Sequence, residues 1–198
     1  MKEIKHFCAP TNSWAHTRYE HSHTRLMNYT FVPMNREYAS TIVDTWKYEN
    51  EYSIYDYSNE ADHMLDEEGW GRAIFAVLNP EGSLIGELSI EFFDAQGQYT
   101  QYHDFDDEAL LNGRELWIGF GLRPDLVGQG LGGKFVEACA EYAIQSCHYR
   151  GEFVRLGVAK FNQRAIKTYT KAGFQIFEDT VGEISGKTFE CVYMRKSL

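Results

Sequence analysis

The chain has 198 residues, enough for one domain with a full hydrophobic core and short for two. Apolar residues make up 43% of it and aromatics 15%, which sets it apart from the apolar-poor, highly charged composition of disordered chains. With 29 acidic against 19 basic residues, a formal charge of −10, it lacks the basic surface that a phosphate backbone requires, so nucleic acid is not an expected partner.

Residues 1–27 show neither a strand nor a helix period and hold four of the seven histidines, so they read as an irregular N-terminal extension to a domain spanning 28–198. His16, His21 and His23 could form a metal patch, but histidines in a polar, unpatterned tail are more simply solvated, and no metal is expected. The cysteines Cys8, Cys139, Cys147 and Cys191 form no C-x-x-C pair, which leaves no zinc ribbon or redox motif. No apolar run approaches the ~18 residues of a membrane span and the amino terminus is not signal-like, so no membrane partner and a reducing, cytoplasmic setting are expected.

The pattern becomes regular at Tyr29. Residues 29–33 read as a short strand, and Arg36 to Glu49 puts Ile42, Val43 and Trp46 on one helical stripe. A tyrosine-rich, acidic stretch leads into a weak helix over Glu60–Glu68. Ala73–Leu78 and Leu84–Phe93 flank Asn79-Pro80-Glu81-Gly82 and read as a hairpin, and residues 94–113 read as a loop. The second half alternates: strand Leu116–Leu122, a glycine loop, helix Gly132–Cys147, strand Phe153–Ala159, helix Asn162–Ala172, then strands around Phe174–Val181 and Phe189–Met194. An antiparallel front and an alternating back predict a single α/β (α+β) domain, a mixed central sheet of about six or seven strands with helices on both faces.

Gly128-Gln129-Gly130-Leu131-Gly132-Gly133 follows a strand and opens a helix. Such a loop can offer several backbone N–H groups to an anion, because no Cβ blocks the approach and the first helical amides have no internal partner. A pyrophosphate is the natural guest. The letters also fit G-x-G-x-x-G, the dinucleotide fingerprint, but there the first glycine ends the strand. Here Arg123-Pro124-Asp125-Leu126-Val127 intervenes, and the next strand runs into Lys160 instead of an acidic residue.

The segment Leu122 to Gly132 resembles the cofactor signature of the GNAT acyltransferase superfamily, a strand ending in x-x-Pro followed by [Gln/Arg]-x-x-Gly-x-[Gly/Ala]. Val127 stands where that family has Gln or Arg, a position that acts largely through its backbone. The resemblance implies acetyl-CoA, or another acyl-CoA, as acyl donor, with the Leu122 region pairing with the pantetheine amides like an added strand. It implies that Val127, Gly128, Gln129, Gly130, Leu131, Gly132 and Gly133 hold the pyrophosphate.

A second block supports it. Asn162 is a plausible N-cap and Tyr169 a packed aromatic on the residues alone. In the family an Asn at this place often meets the cofactor and a Tyr seven residues on lies near the thioester sulfur, so the resemblance makes Asn162 a cofactor contact and Tyr169 the acid that protonates the departing thiolate. The implied reaction is direct attack of a neutral primary amine on the thioester.

The base is less defined. Glu115, at the start of the strand leading to the loop, is one candidate; Glu87 and Glu91 on the preceding strand are comparable, and a water relay needs none of them. Arg123, Lys134, Lys160 and Arg164 cluster around the two blocks and suit cofactor phosphates. Trp46, Tyr48, Tyr52, Tyr55 and Tyr57, with Glu49, Glu51 and Asp56, would suit a cationic small-molecule or peptide amine. A non-catalytic acyl-CoA sensor is the alternative, and a homodimer is compatible with the sequence.

Overall fold

The structure is a computed structural model that describes residues 24–26, 28–105, 107 and 111–198. The histidines His16, His21 and His23 lie outside the described residues.

Strand β1 (Thr24–Leu26) pairs antiparallel with β2 (Tyr29–Pro33), so a strand forms inside the stretch that the sequence leaves unpatterned. Helix α1 (Arg36–Thr45) starts where the Asn35 side chain accepts from the Tyr38 N–H at 2.9 Å, the N-cap geometry that satisfies one orphan donor. It buries Ala39, Ile42 and Val43 and stops at Thr45, short of the expected Glu49. The reason is local competition: the Tyr48 N–H donates to Asp56 Oδ1 at 2.7 Å, and the chain enters short 3-10 turns over Asn50–Tyr55 and Tyr57–Asn59. The weak helix forms only as α2 (Ala61–Leu65), followed by a 3-10 turn at Glu67–Gly69.

The expected hairpin is present as β3 (Ile74–Leu78) and β4 (Leu84–Phe93). Asn79 closes its turn, its backbone carbonyl accepting from Gly82 at 3.0 Å and its side chain from the Ser83 N–H at 2.8 Å, while Gly82 takes the left-handed φ of 80°. Then follow β5 (Glu115–Leu122), α3 (Gly132–Ser146), β6 (Phe153–Ala159) and α4 (Gln163–Lys171). Strands β7 (Gln175–Ile184) and β8 (Lys187–Ser197) run longer than the sequence pattern suggests, joined by Ser185-Gly186 with both φ values positive.

The eight strands form one sheet in the order β1-β2-β3-β4-β5-β6-β8-β7. Every neighbouring pair is antiparallel except β5 and β6. Cross-strand partners share a face, so Phe31, Phe75, Leu88 and Phe120 lie on one side of the sheet. Helix α3 covers that side: Tyr142 stacks on Phe31 with ring centres 4.3 Å apart, and Phe135 meets Phe120. Gly86 makes room for Phe135, since a Cβ there would overlap its ring. The opposite face carries Ile74, Glu87, Ser89, Gly119 and Gly121, and the segments around α1 and α2 cover it.

One irregularity in this sheet positions the site. Strand β4 pairs with β5 all the way to Leu122, and β8 pairs with β6 all the way to Ala159. Yet β5 and β6 pair with each other only at Leu116↔Val154 and Trp117↔Arg155. Beyond Trp117 the two parallel strands part, and each leaves an unpaired edge facing the other. Trp117 packs edge-on against Tyr193 at 4.7 Å, and Arg155 pairs with Glu115 at 3.4 Å, so the closed end of the fork is held by rings and an ion pair.

Candidate active site

A cavity of about 720 Å³ opens where β5 and β6 diverge. One wall is the glycine loop with the amino ends of α3 and α4. Pro124 begins a 3-10 turn that ends β5, Gly128 and Gly130 take left-handed φ values of 86° and 81°, and α3 then starts without a side-chain cap. The first amides of α3 therefore point out of the helix with no internal acceptor. A Cβ built at Gly130 or Gly133 would meet nothing within 4 Å, so these amides are open to a ligand. Uncapped amides on the positive end of a fifteen-residue helix fit an anion.

The cations of the two blocks separate once they are placed. Arg123 forks onto Asp125 at 2.6 and 3.1 Å and also donates to the Leu84 carbonyl at 2.9 Å, so it holds the loop instead of facing a ligand. Lys160 pairs with Asp179 at 2.7 Å, on β7. Arg164 lies over the Tyr52 ring, 5.0 Å from its centre, and is the nearest group to a Cβ built at Gly128. Arg164 lines the cavity beside the loop, and Lys134 stands in the first turn of α3.

Leu122, Val127, Gly128, Gly130, Gly132, Gly133, Asn162 and Tyr169 all line this cavity, as the sequence reading requires of a cofactor site. Gln129 and Leu131 belong to the loop but are not among the lining residues: Gln129 Nε2 donates to the Asp125 carbonyl at 2.7 Å, and Leu131 is the helix N-cap position. Asn162 does cap α4, its Oδ1 accepting from the Ala165 N–H at 3.1 Å. Tyr169 projects from α4 edge-on to Phe120 at 5.5 Å. Burial pushes its hydroxyl well above the usual tyrosine range, so it stays protonated, a donor, across neutral pH.

Glu115 is not brought to the cavity. It sits at the closed end of the fork with Arg155, seven residues along β5 from Leu122, roughly 23 Å at the strand rise. The carboxylate that the structure does bring there is Glu87, on β4. It is 3% exposed, and its Oε1 accepts a 2.6 Å hydrogen bond from Tyr57 Oη. Desolvation pushes its pKa up to about 8, while the Tyr57 hydroxyl and the Gly121 backbone pull the other way. Tyr48 Oη donates to the Leu122 carbonyl at 2.9 Å, which ties the segment after α1 to the open end of β5. Tyr55 Oη accepts from the Ala159 N–H at 3.4 Å and does the same for β6.

In the sequence Glu87 is one of several acids with equal claim. A further signal was available in Gly119-Phe120-Gly121, two glycines at strand period, which marks a face where something approaches the backbone closely. Gly121 pairs with Glu87 in register, and a Cβ there would overlap Tyr57 Oη; at Gly119 it would meet Ser89 Oγ at 2.5 Å. Among the aromatic and acidic residues expected at an acceptor pocket, Tyr48, Tyr52, Tyr55, Asp56 and Tyr57 line the cavity, whereas Trp46 is in the core at 2% exposure.

A forked mixed sheet with an uncapped, glycine-opened helix at the fork leaves two strand edges unpaired with each other, leading to open helix amides. The sequence profile of the acetyltransferase (GNAT) family matches residues 35–174, and the chain belongs to that family. It is accordingly an N-acetyltransferase by family, and that family uses acyl-CoA donors. Among curated proteins no relative matches.

The fold is shared with solved structures at low identity. A chimera of the spermidine N-acetyltransferase of Vibrio cholerae with hSSAT is 16% identical at a TM-score of 0.60, over 86% of this chain and 96% of that one. A GNAT-family acetyltransferase from Bacillus anthracis is 11% identical at a TM-score of 0.60, over 89% and 98%. The Vibrio cholerae spermidine N-acetyltransferase solved with CoA and spermine is 16% identical at 0.55, over 86% and 95%. No described helix is long and apolar enough to cross a membrane.

Proposed function

We propose that this chain transfers an acetyl group from acetyl-CoA, or a related acyl group from its acyl-CoA, to a primary amine of a small molecule or peptide. Residues 28–198 would form the transferase domain, and the free thiols Cys139, Cys147 and Cys191 suit a reducing, cytoplasmic setting. The observation that carries the reading is the fork: β5 and β6 leave facing unpaired edges that lead to open amides at the start of α3. A pantetheine arm has amides to complete such an edge, and a pyrophosphate has the charge for such a helix end.

Within this reading the acyl thioester is a co-substrate that supplies an electrophilic carbonyl. The loop amides of Gly128, Gly130, Leu131, Gly132 and Gly133 and the Arg164 guanidinium hold its phosphates, the Val127 and Gln129 N–H groups being taken by the Pro124 and Leu126 carbonyls, and Tyr169 donates to the leaving sulfur. The acceptor is a cation when it arrives, because a primary amine with a lysine-like pKa of ~10.4 is protonated at neutral pH. Asp56, Glu60 and the rings of Tyr48, Tyr52 and Tyr55 supply the carboxylates and π faces that favour such a group. The spermine bound in the Vibrio cholerae structure is an amine of this class.

The test is thiol release from acetyl-CoA across a panel of primary amines, with Tyr169→Phe beside the wild type. Loss of one general acid should lower kcat by about 10- to 100-fold, with acetyl-CoA affinity kept. Equal turnover in the variant removes Tyr169 from the role, and cofactor binding without turnover of any amine points to a sensor instead of an enzyme.

A further inference from the structure

We infer that Gly119 and Gly157 open a room at the apex of the fork for the acyl tail of the donor, and that this donor carries a short aliphatic acyl group longer than acetyl, such as propionyl or butyryl. This deepens the transferase reading and rests on it. Trp117 and Arg155 are the last residues through which β5 and β6 pair. Two residues further along both strands, the same register sets Gly119 against Gly157, on the face away from α3. Both line the cavity, and both are exposed although they stand on inner strands of an eight-stranded sheet. Glycine in a strand gives up packing and chain stiffness, and it marks a place where something comes close to the backbone.

Packing within the protein accounts for the other glycines of this face. A Cβ at Gly121 would overlap Tyr57 Oη, and one at Gly119 would meet Ser89 Oγ at 2.5 Å. It does not account for Gly157. A Cβ there would meet only the Tyr193 ring, at an ordinary 3.4 Å, and the backbone has no left-handed φ that would call for glycine. The protein has room for a side chain at this position and leaves it to the cavity.

The direction of the donor decides what fills the room. In an acyl-CoA the diphosphate and the thioester stand at opposite ends of the pantetheine arm. With the diphosphate on the amides at the start of α3, the arm enters at the open end of the fork and its acyl carbons lead toward the closed end. Gly119 lies three residues down β5 from Leu122, roughly 10 Å at the strand rise. Tyr169, the donor to the sulfur in this reading, meets the ring of Phe120, the residue next to Gly119. The surroundings beyond that point are hydrocarbon: Val158 lines the cavity, Ile118 and Leu156 are buried beside it, and the Tyr193 ring flanks Gly157. Trp117, edge-on to Tyr193 at 4.7 Å, holds the strands together just below. The Ser89 hydroxyl beside Gly119 is the polar group of this corner. Such walls favour methylene groups, whereas Asp56 and Glu60, which suit a cationic amine, come from the segment after α1.

The transfer balances whatever the length of the tail. The acceptor ammonium gives up a proton and its nitrogen forms the N–C bond, the C–S bond breaks, and the sulfur takes a proton from Tyr169. The nitrogen then loses its second proton, which restores Tyr169 through solvent. The products are amide, free thiol and one proton, and the tail is carried across unreacted.

The experiment measures thiol release from acetyl-CoA, propionyl-CoA and butyryl-CoA with a panel of primary amines, in wild type, Gly157→Ala and Gly157→Val. Calorimetry gives the affinity of each protein for the three donors and for free CoA, and melting curves check that the variants fold. A site closed at acetyl rejects each added methylene by about tenfold or more, so the expected wild-type result is a kcat/KM for butyryl-CoA at or above that for acetyl-CoA. Gly157→Ala should lower the butyryl-to-acetyl ratio by about tenfold and Gly157→Val by about 100-fold, with the same order in affinity. A wild type that prefers acetyl-CoA overturns the inference, and so does a Gly157→Ala ratio equal to that of wild type. A loss of free-CoA affinity as large as the loss for butyryl-CoA assigns Gly157 to the pantetheine arm and overturns it as well. Absence of thiol release from every donor with every amine counts against the transferase reading, whereas the calorimetric order of the donors reports on the room at Gly119 and Gly157.

Discussion

The wall of the cavity built by the glycine loop, α3 and α4 offers main-chain amides at the end of a helix, and the wall built by β4 and the segment after α1 offers buried side chains. The first is set by local backbone geometry: positive φ at Gly128 and Gly130 and a helix start without a cap. The second exists only because strands distant in sequence lie in register, with Tyr57 reaching over Gly121 to Glu87. A backbone wall suits a fixed, shared ligand such as the anionic end of a cofactor. A side-chain wall can tune a pKa and choose an acceptor, since its polarity and charge change with every substitution.

The division can be broken at Gly121. Alanine there puts a Cβ into Tyr57 Oη, which must shift and release Glu87. Overpacking of this kind costs about 1–3 kcal/mol of stability, read as a lower melting temperature. The expected loss in kcat is about 10²- to 10³-fold, with acetyl-CoA affinity unchanged by calorimetry. If turnover survives, the side-chain wall does not carry the chemistry.

The reciprocal change is Gly130→Ala. Nothing crowds that position, but its φ of 81° is left-handed, and a non-glycine residue there is strained by about 1–2 kcal/mol. Relaxing the loop should weaken acetyl-CoA by about tenfold in Kd while kcat at saturating cofactor stays near wild type. A kcat defect without a Kd change would mean that the loop does not hold the cofactor.

The smallest effect is expected at Glu115, outside both walls. Its pair with Arg155 is partly exposed on the Glu115 side, so Glu115→Gln should cost at most about 1 kcal/mol in unfolding free energy and leave turnover within about twofold. A large kinetic loss would contradict the distance between this carboxylate and the cavity.

The glycine loop, the helix it opens, the Asn162 cap and the position of Tyr169 were legible because each signal is local: turn glycines, helical spacing and an N-cap are read within a few residues. The hairpin at Asn79–Gly82 was legible for the same reason. Helix α1 ended early because Asp56, ten residues beyond Trp46, captured the Tyr48 N–H, a contact that periodicity does not encode. Glu115 stands on the strand that runs into the loop and Glu87 on the strand before it, and only the sheet register separates them. It places Glu87 opposite Gly121, near the open end of β5, and Glu115 at the closed end with Arg155.

By itself the sequence determined the layered α/β architecture, the family signature and the glycine loop, since those depend on hydrophobic periodicity and on glycines acting through their own backbone. Only the tertiary structure decided where β5 and β6 part, which cations face the loop and which carboxyl lies beneath Tyr57. Burial, register and desolvation belong to neighbours far away along the chain, and they set the buried Glu87 apart from the other described acids.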